Sequence, residues 1–146
     1  MSLDARVEDF WRRFVAATGI DGPYTAWGFG NSERMMTDLA LLVRDGPKRA
    51  TASLPSEYAA HEPLPRPGDL SVILDGRGEP VCVIRTTHVE VRRFGEVDAD
   101  FAWTEGEGDR TLEDWRDGHL RYFAGAGQPI DDSSDIVLER FELLWR

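Results

Sequence analysis

The chain has 146 residues, 41% hydrophobic and 30% charged, with five tryptophans and seven phenylalanines, a balance that excludes a disordered chain and suffices for one domain with a real core. Cys82 is the only cysteine, which excludes an intramolecular disulfide and a cysteine-based zinc cluster. A formal net charge of −10 opposes sequence-blind binding to duplex DNA or any polyphosphate, so a nucleic-acid site has to be a local pocket.

No basic segment leads into an apolar leader, and no stretch approaches the roughly 18 apolar residues of a membrane span, so a cytoplasmic protein without membrane contact is expected. Val7, Phe10, Trp11, Phe14 and Val15 recur at helical spacing, predicting a first amphipathic helix from Asp4, its expected N-cap, to Thr18, with Gly19 ending it. Trp27, Gly28, Phe29 and Gly30 read as an aromatic, glycine-rich connector. Met35, Met36, Leu39, Leu42 and Val43 then mark a second helix from Ser32 to Asp45.

From Lys48 the period drops to two, with Ala50, Ala52 and Leu54 alternating with Arg49, Thr51 and Ser53, which predicts a short strand. Four prolines between Pro55 and Pro67 make the next segment an irregular loop, with one helical turn near Ser56 to Ala60. Leu70 to Leu74 and Val81 to Val91 are strands joined by a hairpin at Asp75 to Gly78. After Phe94, Val97, Phe101 and Ala102 the sequence EGEGDR reads as a loop with no core-packing side chain. Thr111 and Asp114 form an N-capping arrangement for a helix carrying Leu112, Trp115, His119 and Phe123 on one face. Alternation through Val137, Phe141, Leu143 and Trp145 predicts a last strand closing the sheet.

Lys48, Thr51 and Ser53 deliver a cation and two hydroxyls where a helix meets a strand, a combination able to hold a phosphate or carbonyl oxygen. The same spacing also fits a solvated lysine beside an ordinary strand. Glu105, Glu107 and Asp109 alternate over five positions, and such crowding raises a carboxyl pKa or recruits a hard divalent cation; a solvated acidic loop is the plainer reading. His119 and His61 are candidate acids or bases by residue type, but His119 shares a face with Trp115, and a structural role is the plainer reading for both. Trp27, Phe29, Tyr58 and Trp103 fall near loops, where an aromatic face stacks a base or plugs a barrel end. P-loop, α/β-hydrolase, Rossmann and HExxH signatures are all missing.

Four blocks, WGFG from Trp27, DGPKRATAS from Asp45, PGDLSVILDGRGEPVCVIRTT from Pro67 and FAWTEGEGDRTLEDWRDGHLRYF from Phe101, together resemble the longer bacterial members of the ASCH family. The resemblance covers nearly the whole chain, and the EGEGD loop before a tryptophan-histidine helix is its most specific mark. It implies an α+β fold, a PUA-like mixed β-barrel flanked by helices, as one domain over residues 1–146 with an N-terminal helical extension at about 1–45. It also implies a local cleft for RNA or a modified nucleoside.

The resemblance implies first an RNA-binding protein with ribonuclease activity on single-stranded RNA, as in one type of family member; the alternative is the other type, amidohydrolases that remove an acyl group from the N4 amine of cytidine. The amidohydrolase set is a lysine, a threonine three residues on, and a glutamate three residues after an alanine, which the resemblance places at Lys48, Thr51 and Glu105. Trp27, Ser53, Tyr58, Arg85 and His119 are the expected substrate-binding residues, and Glu107 with Asp109 the expected seat of a manganese or magnesium ion. As a ribonuclease, Lys48 stabilises phosphate charge and Glu105 acts as general base; as an amidohydrolase, Lys48 activates Thr51 and Glu105 serves the leaving amine. A noncatalytic reader uses the same cleft without breaking a bond. The N-terminal helix, WGFG and EGEGD all depart from the short amidohydrolases.

Overall fold

A computed structural model describes residues 1–146 as four α-helices, two single 3-10 turns and five strands. In chain order these are α1 (Leu3–Thr18), β1 (Tyr24–Trp27), α2 (Glu33–Asp45), β2 (Ala50–Ser53), β3 (Leu70–Leu74), β4 (Pro80–Arg93), α3 (Ala99–Glu105), α4 (Leu112–Gly125) and β5 (Asp135–Trp145). The strands hydrogen-bond in the order β1-β3-β4-β5-β2, with β1 parallel to β3 and the pairs β3–β4 and β2–β5 antiparallel.

The expected barrel does not close. Closure requires the two end strands to pair with each other, but β1 and β2 are four residues each and each is laddered to a single neighbour. The last strand also does not close the sheet: β5 runs between β4 and β2.

Two compact units emerge, one of residues 1–46, 68–85 and 142–146, the other of residues 47–67 and 86–141. In the first, α1 buries Val7, Phe10, Trp11 and Phe14 against Val72 of β3 and Val83 of β4. Trp11 stacks on Tyr24 at 4.1 Å between ring centroids, and Phe10 meets Trp145 at 5.0 Å. The N-cap of α1 is Ser2, whose hydroxyl accepts from the Ala5 N–H at 3.1 Å; Asp4 lies inside the first turn, where its charge still favours the helix dipole. Gly19 ends α1 in the left-handed region, as its place in the sequence predicts. The hairpin turn is held by the Asp75 carboxylate, which accepts from the N–H groups of Arg77 and Glu79.

In the second unit, α3 and α4 pack Phe101, Ala102, Trp115 and Phe123 onto Ala50 and Leu54 of the β2 segment and Ile136 and Leu138 of β5. Two elements are additions to the sequence reading. The WGFG connector begins in β1, and the set Val97, Phe101, Ala102 belongs to α3, N-capped by Asp98, whose carboxylate accepts from the Phe101 N–H at 2.9 Å. No helix is long and apolar enough to cross a membrane.

Phe14 is fully buried against the β3–β4 face, so Phe14→Ala is expected to cost about 3 to 5 kcal/mol, read as a lower urea midpoint. A loss under about 1 kcal/mol would show that α1 is not part of the folded core.

Candidate functional site

The site grows from the end of α3. Glu105 is its last residue, and Gly106 follows at φ 73°, donating its N–H to the Ala102 carbonyl at 3.4 Å. A Cβ on Gly106 would lie 2.9 Å from the backbone N and Cα of Lys48 and from the carbonyl carbon of Pro47, so only glycine allows this approach. The Arg49 N–H donates to the Thr104 carbonyl at 2.9 Å and locks the start of β2 to the same helix. The loop then returns to α4, where Asp109 accepts from the Thr111 N–H and hydroxyl, and Thr111 in turn caps the Asp114 N–H. The two carboxylates on either side of Gly106 are thereby brought to Lys48.

The Lys48 ammonium donates to the Ala50 carbonyl at 2.8 Å and to Glu107 at 2.6 Å, and meets Glu105 at 3.5 Å. Glu105 accepts from the Trp115 indole N–H at 2.7 Å through one oxygen and faces His119 Nε2 at 3.3 Å through the other. His119 lies flat on Trp115, its ring centroid 4.1 Å away, and its Nδ1 is 2.8 Å from the Trp115 carbonyl. A backbone carbonyl and an ionised carboxylate both only accept, so the ring satisfies both contacts as an imidazolium, with both nitrogens donating.

Accessibility divides the cluster. The side chains of Lys48 and Glu105 are 1% and 3% exposed, whereas that of Glu107 is 27% exposed. Burial opposes the charge on Glu105, but Lys48 and His119 outweigh it and hold this carboxyl well below the usual range. Burial pushes Glu107 up to about 7, with the Glu105 charge adding to the shift and Lys48 opposing it. For His119 burial favours the neutral ring, but the charge and hydrogen bond of Glu105 raise its pKa. A buried carboxylate held toward its ionised form thus stands beside a partly exposed carboxyl whose pKa is raised to about 7, the arrangement an acid-base catalyst needs.

The sequence-derived set falls into three places. Lys48, Glu105, Glu107 and His119 form the cluster just described, so His119 is a partner of Glu105. Thr51, Ser53 and Tyr58 sit on β2 and the turn after it. Strand alternation turns Thr51 and Ser53 away from Ala50 and Ala52, which face the core, and places Thr51 across from Glu139 of β5. The Ser53 and Tyr58 hydroxyls are 2.8 Å apart, and burial raises the Tyr58 phenol although the Ser53 bond opposes it. Trp27 and Arg85 belong to the first unit, where Trp27 meets Phe29 edge-on and Arg85 pairs with Glu142.

The two carboxylates expected to seat a cation turn to different partners. Glu107 is turned to Lys48 and Asp109 to Thr111, and no three His, Cys, Asp or Glu side chains gather to hold a metal ion. Three further residues matter that sequence reasoning passed over: Gly106, Trp115 as a hydrogen-bond donor, and Glu139, 5% exposed and bonded by the Thr86 hydroxyl at 2.7 Å. Glu139 carries a legible signal, a carboxylate at an inward position of an apolar strand.

The profile of the ASCH domain matches residues 25–145. The chain belongs to the ASCH domain family. Its fold matches an ASCH domain from Lactobacillus crispatus JV V101 at 27% identity and a TM-score of 0.83, covering 97% of this chain and 96% of that one. It also matches a protein of Enterococcus faecalis V583 at 34% identity and a TM-score of 0.82, covering 97% of this chain and 89% of that one. No curated protein matches it. The ASCH assignment read from the four sequence blocks therefore stands, with an open sheet in place of a barrel.

Two measurements probe this cluster. Gly106→Ala forces a side chain into left-handed backbone against Lys48 and is expected to lower stability by about 2 kcal/mol or more in urea titration. An unchanged midpoint would mean that the loop does not hold Lys48 as described.

The raised His119 pKa makes its contribution to stability full below the unfolded value of about 6.5 and lost as pH rises through the folded value. Glu107, also raised, acts in the same direction between its unfolded value of 4.5 and about 7. Urea midpoints are therefore expected to fall as pH rises above about 6.5, with a shallower fall in His119→Gln; equal slopes in both proteins would refute the imidazolium.

Proposed function

We propose that this ASCH domain binds a nucleobase, in RNA or as a modified nucleoside, and hydrolyses an acyl group from its exocyclic amine. The observation that carries the reading is the half-buried Glu107 carboxyl, raised to about 7 and held 2.6 Å from the buried Lys48. Membership of the ASCH family supports an RNA-related ligand.

The chemistry follows from which groups reach solvent. In this reading Glu107, ionised, removes a proton from a water that attacks the acyl carbonyl carbon. The C–N bond then breaks, Glu107 returns the proton to the departing amine, and the products are a carboxylic acid and the free amine. Lys48 stabilises Glu107 in its ionised state, while Glu105, fixed by Trp115 and His119, holds Lys48 in place. Glu105 is thus a positioning residue, and the general-base role expected for it passes to Glu107. Thr51, with Ser53 and Tyr58, orients the substrate through hydroxyls on the β2 face. Strand alternation points Thr51 toward the Glu139 side, which favours an orienting role over that of nucleophile.

Ribonuclease chemistry fits less well. A scissile phosphate needs an accessible cation, but the Lys48 ammonium is enclosed by a carbonyl and two carboxylates, and the chain carries a net charge of −10.

Purified protein incubated with N4-acetylcytidine is expected to release cytidine, with a rate that rises through an inflection near pH 7 and drops at least about 100-fold in Glu107→Gln. RNA fragments from single-stranded RNA, lost in the same variant, would replace this reading with the ribonuclease. Bound but unchanged nucleoside would replace it with the noncatalytic reader.

A further inference from the structure

The loop that carries Glu107 ends in an arrangement that the proposed chemistry leaves unused. Trp103 stands on α3 with 58% of its surface exposed. Arg110, at the far end of the loop, lays its guanidinium over the Trp103 indole, 3.6 Å from the ring centroid, and donates from Nε and Nη2 to the Trp103 carbonyl at 2.9 and 2.6 Å. That separation is van der Waals contact, so the cation covers one face of the indole. The exposure that remains belongs to the opposite face and the ring edge.

Arg110 is also the one non-glycine residue at positive φ, 66°, a conformation that L side chains rarely adopt. Such backbone persists where surrounding contacts hold it. Here those contacts are the Trp103 carbonyl and indole on one side and the Glu107 carbonyl on the other, which accepts from the Arg110 N–H at 3.2 Å. The stacked pair and the proposed reacting carboxyl therefore belong to one turn of chain.

We infer that the Trp103 indole, backed by Arg110, is a stacking platform for a base adjoining the reacting one in single-stranded RNA. The inference rests on the nucleobase reading above and deepens it, making a polynucleotide rather than a free nucleoside the substrate.

The charge of the molecule and the chemistry of the pair select this occupant. A chain of net charge −10 gains little from tracking a phosphate backbone, whereas an aromatic face holds any base through its π-surface without neutralising phosphate. Arg110 sets a positive charge beside that face, complementary to the phosphate that accompanies a stacked base. Its fork is already fixed on a carbonyl, so little side-chain freedom is lost when the base arrives. An apolar protein segment seated on the same indole would have to desolvate this guanidinium and the exposed Asp109 of the loop, which a single stacked base leaves in water.

The test is equilibrium binding of cytidine and of the trinucleotide UCU, neither of which carries an acyl group to be hydrolysed, to the full chain, Trp103→Ala and Trp103→Phe. The unsubstituted protein is expected to bind UCU at least about fivefold more tightly than cytidine, the gain of one base stack. Trp103→Ala keeps the main-chain carbonyl that holds Arg110 and removes the stack, so UCU and cytidine should then bind within about twofold of each other. Trp103→Phe restores an aromatic face and should recover an advantage of about threefold, with cytidine affinity unchanged in all three proteins. Thermal unfolding of the variants separates a lost fold from a lost contact. An advantage for UCU retained in folded Trp103→Ala overturns the platform in favour of phosphate contacts, and UCU bound no more tightly than cytidine by the unsubstituted protein overturns it in favour of a protein partner. The proposed hydrolysis stands in both cases. Failure of the unsubstituted protein to bind either ligand overturns both readings.

Discussion

The second unit is organised around the enclosure of one ammonium group. Lys48 has essentially no contact with solvent, and a buried charge of that kind persists only where acceptors surround it. The acceptors come from three pieces of chain: the Ala50 carbonyl, the last residue of α3, and the loop after it. Satisfying Lys48 therefore fixes where α3 ends, requires a glycine at 106 and sets the direction in which the loop leaves for α4. Trp115 and His119 on α4 then complete the coordination of Glu105.

This enclosure gives two carboxylates one residue apart different characters. Glu105 has a cation, an indole N–H and an imidazolium around it and stays ionised. Glu107 shares the same cation but lies beside the Glu105 charge and reaches solvent, so its proton is exchangeable near neutral pH. Pushing two neighbouring titratable groups apart in pKa is the usual way a site obtains one fixed charge and one mobile proton. β2 adds the other half by alternation: Ala50 and Ala52 enter the core with α3 and α4, and Thr51 and Ser53 present hydroxyls beside Glu139.

How much of this was legible in the sequence differs residue by residue. Lys48 and the acidic loop stood out as candidates, but their spacing fitted a solvated lysine and a solvated loop equally well. Nothing local says that Glu105 closes a helix, because α3 is seven residues long and shows too few turns for its period to emerge. With α3 read as loop, spacing alone left Glu105 and Glu107 equivalent; the family resemblance placed the catalytic role at Glu105, which the structure buries. The acidic loop diverges from its sequence pattern for a related reason. Alternation along a sequence brings carboxylates together only in a strand, and this segment is a tight loop that turns the two to different partners.

The sequence by itself determined the long elements and the family. α1, α2, α4, β3 and β4 follow from periodicity, capping residues and a hairpin signal, all interactions within about a dozen neighbouring residues. Whether the sheet would close, where β5 would lie in it, and which carboxylate would face solvent were decided by tertiary structure alone. Each depends on pairings between residues about 35 to 60 positions apart or more, such as Lys48 with Glu107 or Thr86 with Glu139. A carboxyl's pKa, and hence its role, belongs to those neighbours and to the solvent they exclude.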